Sequence, residues 1–353
     1  MHVTLVGMGN IGSHASGFLA RMPNVDRMTL IDRDVYSEAN GTAQAMRRGD
    51  AGKPKVIVQA RRLRELRPDI KIIAIHDDVE NVPAGRLATD LLAAAVDTRI
   101  ARQYLGQMCW GLGVPWIDSG VNAGGGLVSV STYLPGGENA CIECDWADRH
   151  YETLEAAYPC APDLPVARTN APASLGGLAG ALLAIECGKV LTGIRDQSLA
   201  GRQLVYDTLW HKQHIVSKRR NPGCRFGHRM LPVATALVVF HGAPLAEIFA
   251  MTELKDVRVS VVGARGFAVS AYCSNCDKTY RDLWKVVRRP RCPRCKQALT
   301  ITGFDMATEL TRGDLPAAIL RRPLSKLGLL SGDVLVLRGA GAEECVRLGA
   351  VDD

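Results

Sequence analysis

From its first residues the chain alternates between short apolar runs and longer stretches of helix-forming residues. The runs are "HVTLVG" from His2, "RMTLID" from Arg27, "IKIIAI" from Ile70, "LLAAAV" from Leu91 and "VPWID" from Val114; helical stretches such as 11–22, 52–66 and 99–112 lie between or beside them. Strand–helix alternation builds βαβ units, and near-continuous apolar strands fit a sheet covered on both faces. The predicted fold is therefore α/β, with a Rossmann-like, doubly wound, mainly parallel sheet. A long helix is predicted over 173–191, and a short one starts at Pro244, where proline suits the first turn. Residues 145–172 are rich in proline, alanine and acids and show no periodicity; so long a loop in a compact domain is usually functional or mobile. After Thr252 the pattern changes to short β-like runs, basic clusters and paired cysteines. That change divides the chain into domains 1–252 and 253–353.

The first strand runs straight into "VGMGNIGSHASGFLARM", where Gly7, Gly9 and Gly12 form G-x-G-x-x-G at a strand–helix junction. Glycine permits positive φ and lets backbone N–H groups approach a phosphate at the positive end of the helix dipole. Asp32 closes the second apolar run twenty residues after Gly12, where an acid can accept a ribose hydroxyl. These residues predict nucleotide binding but do not separate a dinucleotide from ATP.

A length of 353 residues suggests two domains, or one large domain with an appendage. The net charge of +7 suits an acidic protein partner or a phosphate ligand and is not by itself a nucleic-acid signature. No apolar run of membrane-spanning length stands out, and the N-terminus enters a strand directly. A cytoplasmic protein with no signal peptide and no membrane association is expected. In that setting eleven cysteines are metal ligands or nucleophiles sooner than disulfides. Cys109, Cys187 and Cys345, isolated in apolar or helical surroundings, are expected to be small core residues. By contrast, Cys273/Cys276 and Cys292/Cys295 are two C-x-x-C pairs fifteen residues apart, the spacing of a four-thiolate zinc ribbon. Lys285, Arg288, Arg289, Arg291, Arg294 and Lys296 surround it, with Tyr280 and Trp284 nearby. A basic ribbon can serve nucleic acid or protein docking, and a protein partner is expected here over nucleic acid.

Further stretches follow the glycine loop in order: "LIDRDVYSEANGTAQAM", "AGKPKVIVQARRLRELRPDIKI", "LLAAAVDTRIARQYLGQMCWGLGVPWIDSGV", "NACIECDW" and "GGLAGALLAIECGKVLTG". This series resembles the enzymes that activate ubiquitin-like and sulfur-carrier proteins, the ThiF-type adenylyltransferases and ubiquitin-activating enzymes, over roughly residues 1–230. The resemblance implies ATP-dependent adenylation of a carrier's C-terminal carboxylate, with Mg²⁺ at the phosphates and a homodimeric or heteromeric enzyme. It implies that Asp32 holds the ribose, that Asn40 and Gln44 contact ATP, that Lys55 meets the phosphates, and that Asp97, ending an apolar strand, holds Mg²⁺. Cys141 and Cys144 match the first half of the family's structural zinc site, with Cys224 and His228 offered as the second half. Two structural Zn²⁺ sites are thus expected in all.

Cys160, in "YPCAPDLPVARTN", falls where the family's crossover loop passes over the adenylate. It is the candidate nucleophile for a thioester that a conjugating enzyme would accept, with Arg168 as a local cation. Two departures bear on catalysis. Ala43 stands where the family carries an arginine, leaving Arg47 or Arg48 as neighbouring cations, and no helix bearing a second arginine precedes the first strand. The expected function is carrier activation. The alternatives are a degenerate scaffold subunit of such a system and, from the glycine loop alone, an NAD-dependent oxidoreductase. After the ribbon, "PLSKLGLLSGDVLVLRG" reads as a short helix, a turn and a strand resembling the later part of a β-grasp-like module. The C-terminal domain is expected to recruit the carrier or a conjugating enzyme.

Overall fold

A computed structural model describes residues 1–156, 171–194, 196–232, 235–237, 242–264, 266–286, 290–301 and 306–349. Backbone proximity divides the chain into two compact units. The first comprises Met1–Val79 and Leu87–Met230, and the second Glu80–Arg86 and Leu231–Asp353.

The first unit is built from β1 (His2–Val6), α1 (Asn10–Ala20), β2 (Arg27–Ile31), α2 (Lys55–Leu66), β3 (Lys71–Ile75), β4 (Leu91–Ala94), α3 (Arg99–Leu112), β5 (Trp116–Asn122), β6 (Leu127–Tyr133), α4 (Asp148–Ala156), α5 (Ala173–Leu191), β7 (Arg202–Asp207) and β8 (Lys212–Ser217). Among the described residues these strands form one sheet in the order β3-β2-β1-β4-β5-β6-β7-β8. The first five are parallel and the last three antiparallel. The apolar runs explain the parallel half, because β1, β2 and β4 are buried almost throughout, as strands covered on both faces must be. The antiparallel half is not announced by such runs: β7 is half-buried and every residue of β8 is exposed.

Helix α5 crosses α1 closely. A Cβ on Gly180 would lie 3.0 Å from the Ala15 nitrogen, and one on Gly176 only 1.9 Å from Asn10 Oδ1. Small residues let the two backbones approach, and Ala15, Leu19, Ala179, Leu183 and Cys187 close the core over Val3, Leu5 and Val130. The sequence reading underrates α5. Its 19 residues, with a mean hydropathy of 1.4, are long and apolar enough to cross a membrane by length and composition. The helix is 56% buried inside the molecule, the environment of a core helix.

Two further elements differ from the pattern. The helix expected over 52–66 begins only at Lys55, because Gly52 takes φ +82 and Pro54 stands extended at the N-cap. The stretch expected to be aperiodic from 145 contains α4.

In the second unit, β9 (Thr235–Leu237), β10 (Arg258–Val261), β14 (Leu310–Thr311), β15 (Val334–Gly339) and β16 (Ala342–Leu348) form a sheet in the order β14-β10-β15-β16-β9 among the described residues. A smaller sheet joins β11 (Phe267–Cys273), β12 (Lys278–Lys285) and β13 (Met306–Ala307) in the order β12-β11-β13, and α6 (Leu245–Ala250) and α7 (Ala317–Leu320) complete the unit. Leu335, Leu337, Val346, Ile248, Leu324 and Phe267 make its core. The Ser-Gly-Asp turn before β15 places Gly332 at φ +92, and the preceding short helix, Leu324–Leu327, is a 3-10 turn.

Candidate functional site

The loop from β1 to α1 shows why three glycines stand there. Gly7 has φ +90, and a Cβ on it would lie 2.4 Å from the Ala95 carbonyl oxygen just past β4. A Cβ on Gly12 would come within 1.8 Å of the Gly7 oxygen, so these two glycines are required by the loop's own packing. Gly9 differs: nothing lies within 4 Å of where its Cβ would be. It sits at the N-cap of α1 and faces open space, as a backbone that cradles phosphate must.

Asp32 follows β2 and closes the loop from the side. Its Oδ2 accepts the Met8 N–H at 2.5 Å and its Oδ1 the Asp34 N–H at 2.7 Å. Burial pushes its carboxyl above the usual range, while the Lys55 charge and the two N–H bonds pull it back. Lys55, the first residue of α2, is no solvated helix-start lysine. It is 5% exposed, donates to Asp34 Oδ2 at 2.9 Å and stands 5.9 Å from the centre of the Tyr36 ring. Lys53 is exposed and donates to the Gly49 carbonyl.

The stretch carrying Asn40 and Gln44 is docked against α1 and α2. Ala45 N–H donates to Ser13 Oγ, Gln59 Nε2 donates to the Ala45 carbonyl, and the His14 ring lies 3.2 Å from the Ala43 carbonyl oxygen. Asn40 Oδ1 accepts from the Ser37 N–H and hydroxyl, and so caps its own turn. Gln44 Oε1 is buried without a hydrogen-bond partner, a costly state that a ligand donor would relieve. Arg47 and Arg48 are exposed, with the Arg47 guanidinium 3.7 Å from Glu65.

Asp97 is exposed just past β4, one residue before Thr98, whose hydroxyl caps α3 by accepting the Ala101 N–H. In strand order β1 lies between β2 and β4, so the glycine loop is flanked by Asp32 on one side and Asp97 on the other. Cys160 lies outside the described residues. Downstream, Asn10 Nδ2 donates to the carbonyls of Ala171 and Pro172, which ties the start of the α5 segment to the glycine loop. Cys187 is fully buried, and burial pushes its thiol far above the usual range. Cys109 and Cys345 are likewise buried.

Two cysteine groups could hold a metal ion, each with four ligand atoms lying within 4.8 Å of one another. In the first, Cys141 Sγ stands 3.8 Å from Cys144 Sγ and 3.7 Å from Cys224 Sγ, and Cys144 Sγ stands 3.1 Å from His228 Nε2. Thiolates about 2.3 Å from a tetrahedral zinc stand about 3.8 Å apart, so the spacing fits. Residues that the sequence reading passed over hold this group. Trp110 donates to the His228 carbonyl at 2.9 Å. Glu143, 2% exposed between the paired cysteines, accepts from Gln103 and Gln107 of α3 at 2.9 and 2.8 Å. In the second group Cys273 Sγ is 3.5 Å from Cys295 Sγ and Cys292 Sγ 3.8 Å from Cys276 Sγ. Each C-x-x-C there is followed directly by a left-handed residue, Asp277 at φ 45 and Lys296 at φ 63.

Comparison with known proteins places this arrangement. The model of the ThiF family matches residues 1–226. The sulfur carrier protein ThiS adenylyltransferase of Escherichia coli is 27% identical over 225 residues, covering 63% of this chain and 84% of that protein. The molybdopterin-synthase adenylyltransferase of the same organism is 29% identical over 226 residues, covering 63% and 85%. Ubiquitin-like modifier-activating enzyme 5 of Dictyostelium discoideum is 30% identical over 158 residues, 41% of each chain. The fold is also that of crystallised E. coli MccB, for one structure at a TM-score of 0.53 and 22% identity, covering 64% of this chain and 66% of that one. A family match over well more than half of the residues, on a glycine loop flanked by Asp32 and Asp97, assigns the chain to the ThiF family.

Proposed function

We propose that the protein activates a ubiquitin-like or sulfur-carrier protein by adenylating its C-terminal carboxylate with ATP and releasing pyrophosphate. The observation that carries this reading is the glycine loop with its open Gly9, set between Asp32 just past β2 and Asp97 just past β4. In open α/β sheets ligands bind outside the carboxyl ends of the strands, and here the polar groups converge at that edge.

In this reading the carrier's carboxylate oxygen attacks the α-phosphorus, the bond to the bridging oxygen breaks, and pyrophosphate leaves. Negative charge develops on the phosphate oxygens, and pre-placed cations and N–H donors stabilise it. The loop N–H groups at the start of α1 and the Lys55 ammonium supply them. Lys55 is held beside the site by Asp34, whose half-exposed carboxylate can be solvated when the lysine turns to phosphate. Each Asp32 oxygen accepts one N–H and keeps a lone pair for a ribose hydroxyl. Gln44 completes the nucleotide contacts through its unpartnered oxygen. Asp97 is the residue that would hold Mg²⁺, which when bound neutralises phosphate charge. The two cysteine groups are proposed as structural Zn²⁺ sites, closed by four protein ligands each. Residues 253–353 are proposed to recruit the carrier or a conjugating enzyme.

Calorimetry tests the nucleotide: ATP with Mg²⁺ should bind in preference to NAD, and saturable NAD binding without ATP binding would end this reading. Cys160 is the proposed acceptor of the activated carboxyl. A carrier adduct that survives acid, disappears with dithiothreitol and is absent in Cys160→Ala supports it. Robust adenylation without such an adduct makes the carrier leave as the adenylate, as sulfur transfer requires. Ala43 supports a second reading, a scaffold subunit that binds a carrier and leaves adenylation to a partner; the exposed Arg47 and Arg48 are the cations nearest that position in the sequence.

A further inference from the structure

Arg102 lies in the second turn of α3 and is a cation that the adenylation reading does not use. Its Nε donates to Asp118 Oδ1 of β5 at 3.0 Å and its NH2 to the carbonyl oxygen of Val96 at 2.9 Å. Val96 is the residue immediately before Asp97. Asp118 pairs in register with Ala94, the last residue of β4, so one guanidinium bridges the body of β5 and the backbone just past the carboxyl end of β4. The site is shaped to receive it. Gly120 on β5 has its Cβ position 3.0 Å from Arg102 NH2, so a side chain there would crowd the fork. Both partners are largely buried, with 26% and 14% of their side chains exposed. The Asp118 carboxylate beside it holds the Arg102 guanidinium above its usual range, against the opposing effect of burial.

Resting on the assignment of Asp97 to Mg²⁺, we propose that Arg102, anchored by Asp118, is a positioning residue that fixes the Val96 carbonyl and thereby aims the Asp97 carboxylate at the metal. Among the described residues the segment after β4 is otherwise held by the Ala95 N–H to the Val6 carbonyl, by the packing of Gly7 on Ala95 and Val96, and by the Thr98 cap, and of these bonds only the Arg102 donor engages the Val96 carbonyl. A planar fork with two fixed donors does this, whereas an ammonium on a flexible stem does not.

The test is calorimetric binding of ATP by the full chain, with and without Mg²⁺, for wild type, Arg102→Lys, Asp118→Asn, Asp97→Ala and the Asp97→Ala/Arg102→Lys double variant. Losing a group that orients a metal ligand typically weakens the metal by about 10- to 100-fold. Arg102→Lys and Asp118→Asn should therefore raise the Mg²⁺ concentration needed for half-maximal enhancement of ATP binding by about tenfold or more, and leave ATP affinity without Mg²⁺ unchanged. In the Asp97→Ala background Arg102→Lys should add nothing, the non-additivity of residues that act through one another. The proposal is overturned if Arg102→Lys keeps the wild-type Mg²⁺ dependence while Asp97→Ala loses it, or if it weakens ATP equally with and without Mg²⁺. Wild-type ATP binding that ignores Mg²⁺ altogether would instead overturn the Asp97 assignment, and the proposal with it.

Discussion

The nucleotide end of the first unit and the cysteine ribbon of the second are assembled in opposite ways. Around the glycine loop, Asp32 and Asp97 are placed by the order of strands, Asp32 accepts the Met8 N–H of the loop, Asn10 is tied to the backbone before α5, and Lys55 to the Asp34 carboxylate. The ribbon uses four cysteines within 23 residues, Cys273 to Cys295, on one hairpin and one knuckle. The first is a site whose geometry depends on a whole sheet. The second is a local fold that a metal could organise by itself. The difference locates the proposed chemistry in the first unit and leaves the ribbon a supporting role, and variants can break that division.

The largest effect is expected from Gly12→Ala. Its methyl would collide with the Gly7 carbonyl oxygen at 1.8 Å, so the loop must move; ATP binding should be lost and thermal unfolding of the first unit should occur many degrees lower. Gly9→Ala sharpens the contrast, because its methyl meets no protein atom. The unfolding temperature should stay within a degree or two, while ATP affinity falls roughly tenfold or more as the methyl takes space meant for phosphate. Equal destabilisation by both substitutions would contradict the cradle.

Next in size, Lys55→Met should lower adenylation by roughly 100- to 1000-fold, the scale of losing one preorganised stabiliser of transition-state charge. Stability should fall only modestly in this variant, since the abandoned Asp34 is about half exposed and water can solvate it, while the buried Asp32 loses the Lys55 charge but keeps its two N–H donors. Elemental analysis compares the two cysteine groups directly. Wild type should carry about two zinc ions per chain, and Cys224→Ser or Cys273→Ser about one. Only Cys224→Ser should lower the unfolding temperature of the first unit, and Cys273→Ser should leave adenylation at saturating carrier intact. The smallest effect belongs to Glu143→Gln. It turns a buried acceptor of two amide donors into a group with donors of its own, at a cost of about 1–3 kcal/mol measurable by denaturant unfolding.

Much of this contrast can be read without coordinates, for physical reasons. Buried parallel strands must be apolar on both faces, so β1 to β5 announce themselves, whereas β6, which mixes serine and threonine into a mostly buried strand, the half-buried β7 and the exposed β8 carry no comparable run. Close-spaced ligands are legible in the same way: Cys273 to Cys295 declare a cluster by spacing alone. Cys141 and Cys144 meet Cys224 and His228 only through more than eighty residues of intervening chain, so spacing could not supply that group and a resemblance was needed. Least legible are the residues that hold others in place. Arg102, Asp118, Glu143, Gln103 and Gln107 look like ordinary helix and strand residues in the sequence, and their roles arise from partners 16 to 40 positions away. The orphaned oxygen of Gln44 and the burial of Lys55 likewise appear only once the 3-10 turns of residues 38–50 are folded onto α1 and α2.

The most direct test of carrier activation is ATP–pyrophosphate exchange with a carrier protein shown to bind the full chain. The account predicts that radiolabelled pyrophosphate enters ATP only when the carrier has a free C-terminal carboxylate, and that Asp97→Ala abolishes the signal. No exchange by the wild-type protein with such a carrier would contradict it, and would leave the chain a scaffold in which Ala43 marks a lost catalytic arginine.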